Sequence, residues 1–454
     1  MSVARARRVA LRVIARVRRG GSWAHEVLSA ELEDSRLDER DAALATRLAY
    51  GTVEMGGVLD EVLAKHLKRP SGVEPKVLDA LRLSTYELLC LRTPAHVAVD
   101  QGVEMVGAIA PRAKGLANAV LRRIAEEAPE FPFGDADADP EALARLTGFP
   151  YWLATRLTED LGWDAASQMM RAHTAPAPLY LAHNPFKGDE AALFARLQEA
   201  GASPESFGPA GCIRCGSASA VLRSGVLAEG LAIVADAAAQ AVVAMMPLAD
   251  RMRVIDIAAG RGGKSALMHF SAARSGFSIE VVATDIHGFK TDVIAERMRL
   301  LGVPRVTTAC ADASDPAALS AAVGGSASAD IVLVDAPCTG TGTLRRHPDK
   351  RWRLEPAQIA EMAALGAKLL ASGAGLVRSG GFVVYSTCTV IPEENTGVVD
   401  GFLGSSAGEG FEVVDLATSS AGLFGDTIMR GGMFQTIPEI EGFDGHFAAL
   451  LRRR

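Results

Sequence analysis

Two cysteines about fifty residues apart are the groups best suited to chemistry in this chain: Cys338 in Asp335-Ala336-Pro337-Cys338 and Cys388 in Ser386-Thr387-Cys388. A thiolate is a strong nucleophile near neutral pH, so two such cysteines point to covalent catalysis. Each follows an apolar, β-branched run, Asp330-Ile331-Val332-Leu333-Val334 before the first and Phe382-Val383-Val384-Tyr385 before the second. Such short runs read as buried parallel strands. The thiols then fall at the carboxyl ends of strands in an open α/β sheet, where ligands bind. Upstream, Val254-Ile255-Asp256-Ile257 reads as another strand and leads into Ala258-Ala259-Gly260-Arg261-Gly262-Gly263-Lys264. Its glycines let the backbone approach a ligand, and the helix that follows offers its first amides. Asp285 closes the strand Val281-Val282-Ala283-Thr284, where a carboxylate accepts both hydroxyls of a ribose. With Asp312, after Val306-Thr307-Thr308-Ala309-Cys310, and Asp335, three acids stand at successive strand ends. The pattern is cysteine chemistry beside a nucleotide-type cofactor.

The elements that position these residues follow from the periodicities. Residues 231–454 alternate strands and helices in the rhythm of a doubly wound sheet. Residues 1–128 are helical throughout, with apolar positions at threes and fours (Leu78, Leu81, Tyr86, Leu89; Leu116, Val120, Ile124), which predicts a helix bundle. Residues 129–140, with Phe-Pro-Phe-Gly and alternating Asp-Ala, read as a linker. Residues 141–230 combine a helix (Tyr151 to Leu161), a strand (Leu179 to Leu181) and a helix (Glu190 to Glu199), a small α/β subdomain attached to the catalytic one.

The chain has 454 residues, 49% hydrophobic and 22% charged, and a net charge of −7. That sign alone argues against nucleic acid, but the distribution does not. Residues 1–126 hold 20 Lys and Arg against 16 Asp and Glu, a net +4, and the remainder is acidic. Arg5, Arg8, Arg12, Arg16 and Arg19 recur at helical spacing, and no acid precedes Glu26 to neutralise them. A phosphate-contacting face is the expectation. A second basic segment, Arg345, Arg346, Lys350, Arg351, Trp352 and Arg353, suits phosphate contact plus stacking on unpaired RNA. No apolar stretch approaches the roughly 20 residues of a membrane span. Six cysteines are too few for a disulfide framework, so a reducing cytoplasm is expected. The arginine-rich start, which lacks a secretory apolar core, leaves a transit peptide as the competing reading. Cys212-Ile213-Arg214-Cys215 has no second ligand pair, and no metal site is expected.

The constellation resembles the Sun-type (RsmB-like) RNA 5-methylcytosine methyltransferases. The glycine loop and the Pro-Cys and Thr-Cys motifs carry the likeness, with Arg346 to Trp352, Pro392-Glu393-Glu394-Asn395 and Gly442 to Phe447. The front resembles a NusB-like RNA-binding domain through Arg47 to Val53, Leu81 to Leu88, Pro94 to Val99 and Ala117 to Arg123. The resemblance implies a NusB-like bundle, a small α/β subdomain and a Rossmann-like domain that uses S-adenosylmethionine. It implies that Cys388 attacks C6 of a cytosine, that Cys338 assists product release, and that Asp335 bonds the base edge. It places Ala258 to Lys264, Asp285, Asp312 and Asp335 at the cofactor, Asp312 near the adenine edge. Small-subunit ribosomal RNA is the implied substrate, with no obligatory protein partner evident. Transfer RNA, a non-catalytic assembly factor of the same fold, and DNA methylation are alternatives. The chain departs from the family where Ala258, Gly260 and Arg261 replace cysteine, alanine and proline. It departs again at Ala182, where an arginine that contacts RNA is usual.

Overall fold

Apolar residues at helical spacing make all the regular structure described from Arg5 to Ala172 helical in the computed structural model, which describes residues 3–20, 23–416, 431–440 and 442–454. Seven helices build the first bundle: Arg5–Arg18, Ala24–Ser35, Glu39–Glu54, Gly56–His66, Pro75–Leu89, Ala95–Ile109 and Lys114–Glu127. Val13, Leu48, Leu59, Leu81, Val106 and Ile124 meet in their shared core. Local signals set the ends. Asp38 accepts from the Asp41 amide at the start of the third helix, and Pro75 opens the fifth. Three further helices follow, Pro140–Thr147, Tyr151–Leu161 and Trp163–Ala172.

Backbone contacts divide the chain into Met1–Ala175 with Leu344–Leu354, and Pro176–Thr343 with Glu355–Arg454. This differs from the reading of 129–140 as a linker. Phe131 and Phe133 pack against the bundle core, so the segment is part of the first unit. The expected subdomain 141–230 is likewise divided: the helices up to Ala172 belong to the first unit, and its strands, with the helices Glu190–Glu199 and Ala218–Arg223, belong to the second.

The second unit holds two sheets. The smaller has β1 (Leu179–His183), β2 (Pro204–Ser206), β3 (Cys212–Cys215) and β4 (Ala232–Val234) in antiparallel order β2-β3-β1-β4. Cys212 and Cys215 face opposite sides of β3, packing with Tyr180 and Leu181 respectively. Burial pushes their thiols up to about 12 and about 11.

The larger sheet comprises β5 (Arg253–Ile257), β6 (Glu280–Asp285), β7 (Val306–Cys310), β8 (Ala329–Asp335), β9 (Val377–Thr387), β10 (Phe411–Val414), β11 (Phe434–Gln435) and β12 (Phe447–Arg453). Its order is β10-β12-β9-β8-β5-β6-β7, with β11 beside β12. The strands from β9 through β7 are parallel; β12 runs antiparallel to β9, and β10 runs antiparallel to β12 at the edge. Alternate residues feed two cores: Val254, Val281 and Leu333 pack under the helices Gly263–Arg274 and Gly288–Leu301, while Ile255, Val332 and Val383 pack under Ala357–Ala374 and Thr396–Leu403. Strand order reverses between β5 and β8, which opens a crevice at their carboxyl ends. Both the glycine loop and the Cys338 loop emerge there. No helix among the described residues is long and apolar enough to cross a membrane.

Candidate active site

The loop leaving β5 turns through left-handed conformations at Ala258 (φ +58°), Gly260 (+61°) and Gly262 (+74°). Gly262 has no room for a side chain, because Met298 and Ile294 press on it, whereas the Cβ position of Gly263 faces open space. The helix Gly263–Arg274 begins without a side-chain cap, so its first amides remain available to a ligand. Asp285, buried at the end of β6, accepts from the Gly260 amide at 3.1 Å and the His287 amide at 3.0 Å, and pairs with Lys290 at 3.2 Å. The carboxylate therefore ties the glycine loop to the end of β6. Asp312 lies exposed beyond β7; bonds from the Ser314 hydroxyl and amide hold its carboxyl below the usual range. Ile286, which the sequence reading passed over, is 57% exposed beside Asp285. An apolar side chain held open next to a ribose-type acid offers a face for an adenine ring. The signal for it was its position directly after that acid.

The cysteines lie just beyond the carboxyl ends of neighbouring parallel strands, β8 and β9, which pair Asp335 with Ser386. Their sulfurs lie 3.4 Å apart, and the Cys388 amide points at the Cys338 sulfur, also at 3.4 Å. The Thr343 hydroxyl approaches the Cys388 sulfur at 4.0 Å. Gly342 donates to the Cys388 carbonyl and accepts from the Gly445 amide, fixing the loop after Cys338 from two sides. Lys264, sequestered in the crevice, pairs with Asp335 at 2.6 Å. Burial alone would pull its ammonium down. Asp335, and behind it Cys388 and Asp256, hold it above the ordinary lysine value. Asp256 beneath them is fully buried and bonded to Ser265, and burial pushes its carboxyl up to about 7.

The expected RNA contacts fare differently, all within the first unit. Arg12 and Arg16 both pair with Glu31 of the next helix, and Arg5 donates to the Ser35 carbonyl. The stripe that lacks an acid in sequence thus acquires one in space. Arg8 and Arg19 make no side-chain bond among the described residues. They line a groove of about 460 Å³ with Leu11 and Lys76. Arg346 is half-buried. Arg351 is wholly buried, so the reading of it as a phosphate contact is corrected: it donates to the carbonyls of Thr147 (2.8 Å), Gly148 (3.3 Å) and His173 (3.3 Å), pairs with Glu54 at 3.2 Å and stacks over Phe149. Trp352 is corrected likewise, since its indole donates to the Glu54 carbonyl and its ring fills the space over Gly57. Ala182 is buried in the core and Asn184 bonds the carbonyls of Gly230 and Leu301, so that strand end serves packing.

A doubly wound sheet with a glycine loop over the switch point and an acid closing the next strand is the frame of a Rossmann-like methyltransferase that uses S-adenosylmethionine. Comparison with known proteins narrows this. The family described as 16S rRNA methyltransferase RsmB/F matches residues 243–452, and the NusB family matches residues 4–126. The chain is 33% identical to ribosomal RNA small subunit methyltransferase B of Pseudomonas putida over 451 residues, covering 98% of each chain. It is 30% identical to the protein of the same name from Erwinia tasmaniensis, covering 98% of this chain and 97% of that one. The crystal structure of PH0851 superposes over 100% of this chain and 99% of its own with a TM-score of 0.81 at 22% identity, a likeness of fold. The chain belongs to the RsmB/F methyltransferase family.

Proposed function

We propose that this protein transfers a methyl group to C5 of a cytosine in small-subunit ribosomal RNA through a covalent adduct at Cys388. Carbon 5 of cytosine is too weak a nucleophile to take a methyl group unaided. Addition of the Cys388 thiolate to C6 forms a C6–S bond and makes C5 enamine-like. Bound S-adenosylmethionine supplies an activated methyl group, so positioning is the chief demand on the protein. Once C5 carries the methyl group, Cys338, 3.4 Å from Cys388, takes the C5 proton as a thiolate base; the C–H electron pair restores the C5–C6 double bond, the C6–S bond breaks and the Cys388 thiolate returns.

The approach of two sulfurs at the ends of adjacent strands carries the reading. Lys264 supports it, because a buried ammonium within reach of Cys388 favours an anion there. Asp335, fixed by the same ammonium, bonds the base edge at N3 or N4 and stabilises charge gathering during attack. Ala258, Ala259, Gly260, Arg261, Gly262 and Gly263 cradle the cofactor; Asp285 holds its ribose, and Ile286 and Asp312 border the adenine. Arg8 and Arg19, unlike Arg12, are free to meet RNA phosphates. The small-subunit substrate is supported by the relatives' names and by the NusB-like front.

The test is a denaturing gel of labelled small-subunit RNA with S-adenosylmethionine and wild type, Cys338→Ser or Cys388→Ser. An adduct that accumulates with Cys338→Ser and is absent with Cys388→Ser is expected. The reverse pattern exchanges the roles of the two cysteines, and methylation of transfer RNA in preference replaces the substrate.

A further inference from the structure

Glu394 has no part in the chemistry described above. It ends the turn Pro392–Glu394 and is sealed from solvent at 1% exposure. One carboxylate oxygen accepts from the Thr339 amide at 2.7 Å. The other accepts from the hydroxyls of Thr339 at 2.5 Å and Thr389 at 3.2 Å. Thr339 follows Cys338 and Thr389 follows Cys388, so a single carboxylate grips the residue after each reacting sulfur. Thr341 can donate to the Thr389 hydroxyl at 2.8 Å, and the Thr339 and Thr389 oxygens lie 3.0 Å apart around the shared carboxylate oxygen. Asn395 extends it, bonding the Thr387 hydroxyl at 2.6 Å and the Thr389 carbonyl at 2.9 Å.

A buried carboxylate is a poor way to fill space, since an apolar side chain of similar volume does so without desolvation. Its value lies in fixing geometry, because a satisfied polar network admits one arrangement where apolar packing admits several. We propose that Glu394 is the positioning residue that joins the two cysteine loops into one frame, so that attack at Cys388 and release through Cys338 stay coupled. The proposal rests on the cytosine reading above. Glu394 acts through Thr339 and Thr389. Of these three bonds, the two shorter go to the Cys338 side and the longest to the Cys388 side. Loosening the frame therefore displaces Cys338 more than Cys388, and release suffers more than attack.

The consequence is distinctive: a variant with both cysteines intact accumulates the covalent adduct. Glu394→Ala, Glu394→Gln and Thr339→Val are compared with wild type and Cys338→Ser for kcat, RNA KM, S-adenosylmethionine Kd by calorimetry, and adduct on a denaturing gel. Glu394→Ala is expected to lose about 10²-fold in kcat, the scale of a displacement of about 1 Å. Its cofactor Kd stays within about twofold and the adduct appears. Glu394→Gln recovers most of the rate, because its amide oxygen still accepts from the Thr339 amide while the hydroxyls turn to accept from its NH2 group. Thr339→Val keeps the amide bond and loses the hydroxyl, and shows the same adduct at a smaller loss. If Glu394→Ala fails to fold, Thr339→Val decides by the same criteria. Normal turnover without adduct in these variants, or cofactor affinity falling in step with kcat and no recovery in Glu394→Gln, overturns the proposal. No methylation by wild type together with no adduct from Cys338→Ser overturns the cytosine reading as well.

Discussion

Replacing Arg351 by methionine separates two readings of one residue by the size and pH dependence of its effect. If Arg351 contacted phosphate, the change would weaken RNA binding and leave stability alone. Its burial predicts the opposite. Methionine keeps much of the volume over Phe149, so packing loss is small. Three carbonyls lose a charged donor, of which the Thr147 bond at 2.8 Å is the strongest, and together these cost about 2–3 kcal/mol. The Glu54 carboxylate loses its counter-charge inside the unit. It escapes by taking up a proton, which limits that part of the cost to about 3.4 kcal/mol at pH 7 for a glutamate of ordinary value 4.5. The charge-dependent part shrinks by about 1.4 kcal/mol for each pH unit below 7, because protonation of the abandoned carboxyl becomes easier. Arg351→Met is therefore expected to destabilise the protein by about 6 kcal/mol at pH 7 and about half that at pH 5. Urea unfolding followed at both pH values measures it, with Glu54→Gln/Arg351→Met expected to be more stable than Arg351→Met at pH 7. A loss below about 1 kcal/mol at pH 7, or one independent of pH, would refute the argument.

Lys264→Met should lower kcat about 10²-fold, since a fixed charge beside the reacting sulfur and Asp335 is removed. Single-turnover assays should show slower adduct formation rather than slower release. Arg261→Pro should tighten S-adenosylmethionine binding about 2- to 5-fold in calorimetry by restricting the unbound loop; an unchanged or weaker Kd counts against that account. Gly342→Ala should abolish most activity without altering cofactor Kd, because a Cβ there would lie 2.2 Å from the Gly445 carbonyl oxygen and the Cys338 loop must move. Asp256 is pushed up to about 7 from 3.8, so between those values the folded protein holds a proton that the unfolded chain has released. Its contribution to stability then falls by about 1.4 kcal/mol per pH unit as pH rises through that window. Asp256→Asn should flatten that slope in thermal unfolding measured from pH 4 to pH 8.

What was legible in the sequence was whatever local periodicity dictates. The helices Tyr151–Leu161 and Glu190–Glu199 and the strand Val306–Cys310 appear with the bounds their patterns imply. The strands that lead to the cysteines extend past their apolar runs at both ends, Ala329–Asp335 around the run 330–334 and Val377–Thr387 around the run 382–385. A buried parallel strand must be apolar on both faces, and little else in a sequence is. The spatial partners were another matter. Lys264 meets Asp335 across 71 positions, and Arg351 reaches Thr147 across 204. Charge by itself does not tell a side chain that seeks phosphate from one that satisfies carbonyls at the foot of a helix. Both need a multidentate donor, and arginine supplies it in either place. The arginine stripe of the first helix makes the same point from the other direction, for Glu31 neutralises two of its members from the next helix. Glu394 is the sharpest instance. In sequence it is one acid among two in a loop, with nothing to mark which is sealed away. Its partners are threonines, one five positions behind it and one fifty-five, each chosen by standing next to a cysteine. A sequence motif records that such a residue must be present, whereas only the folded chain tells what it holds.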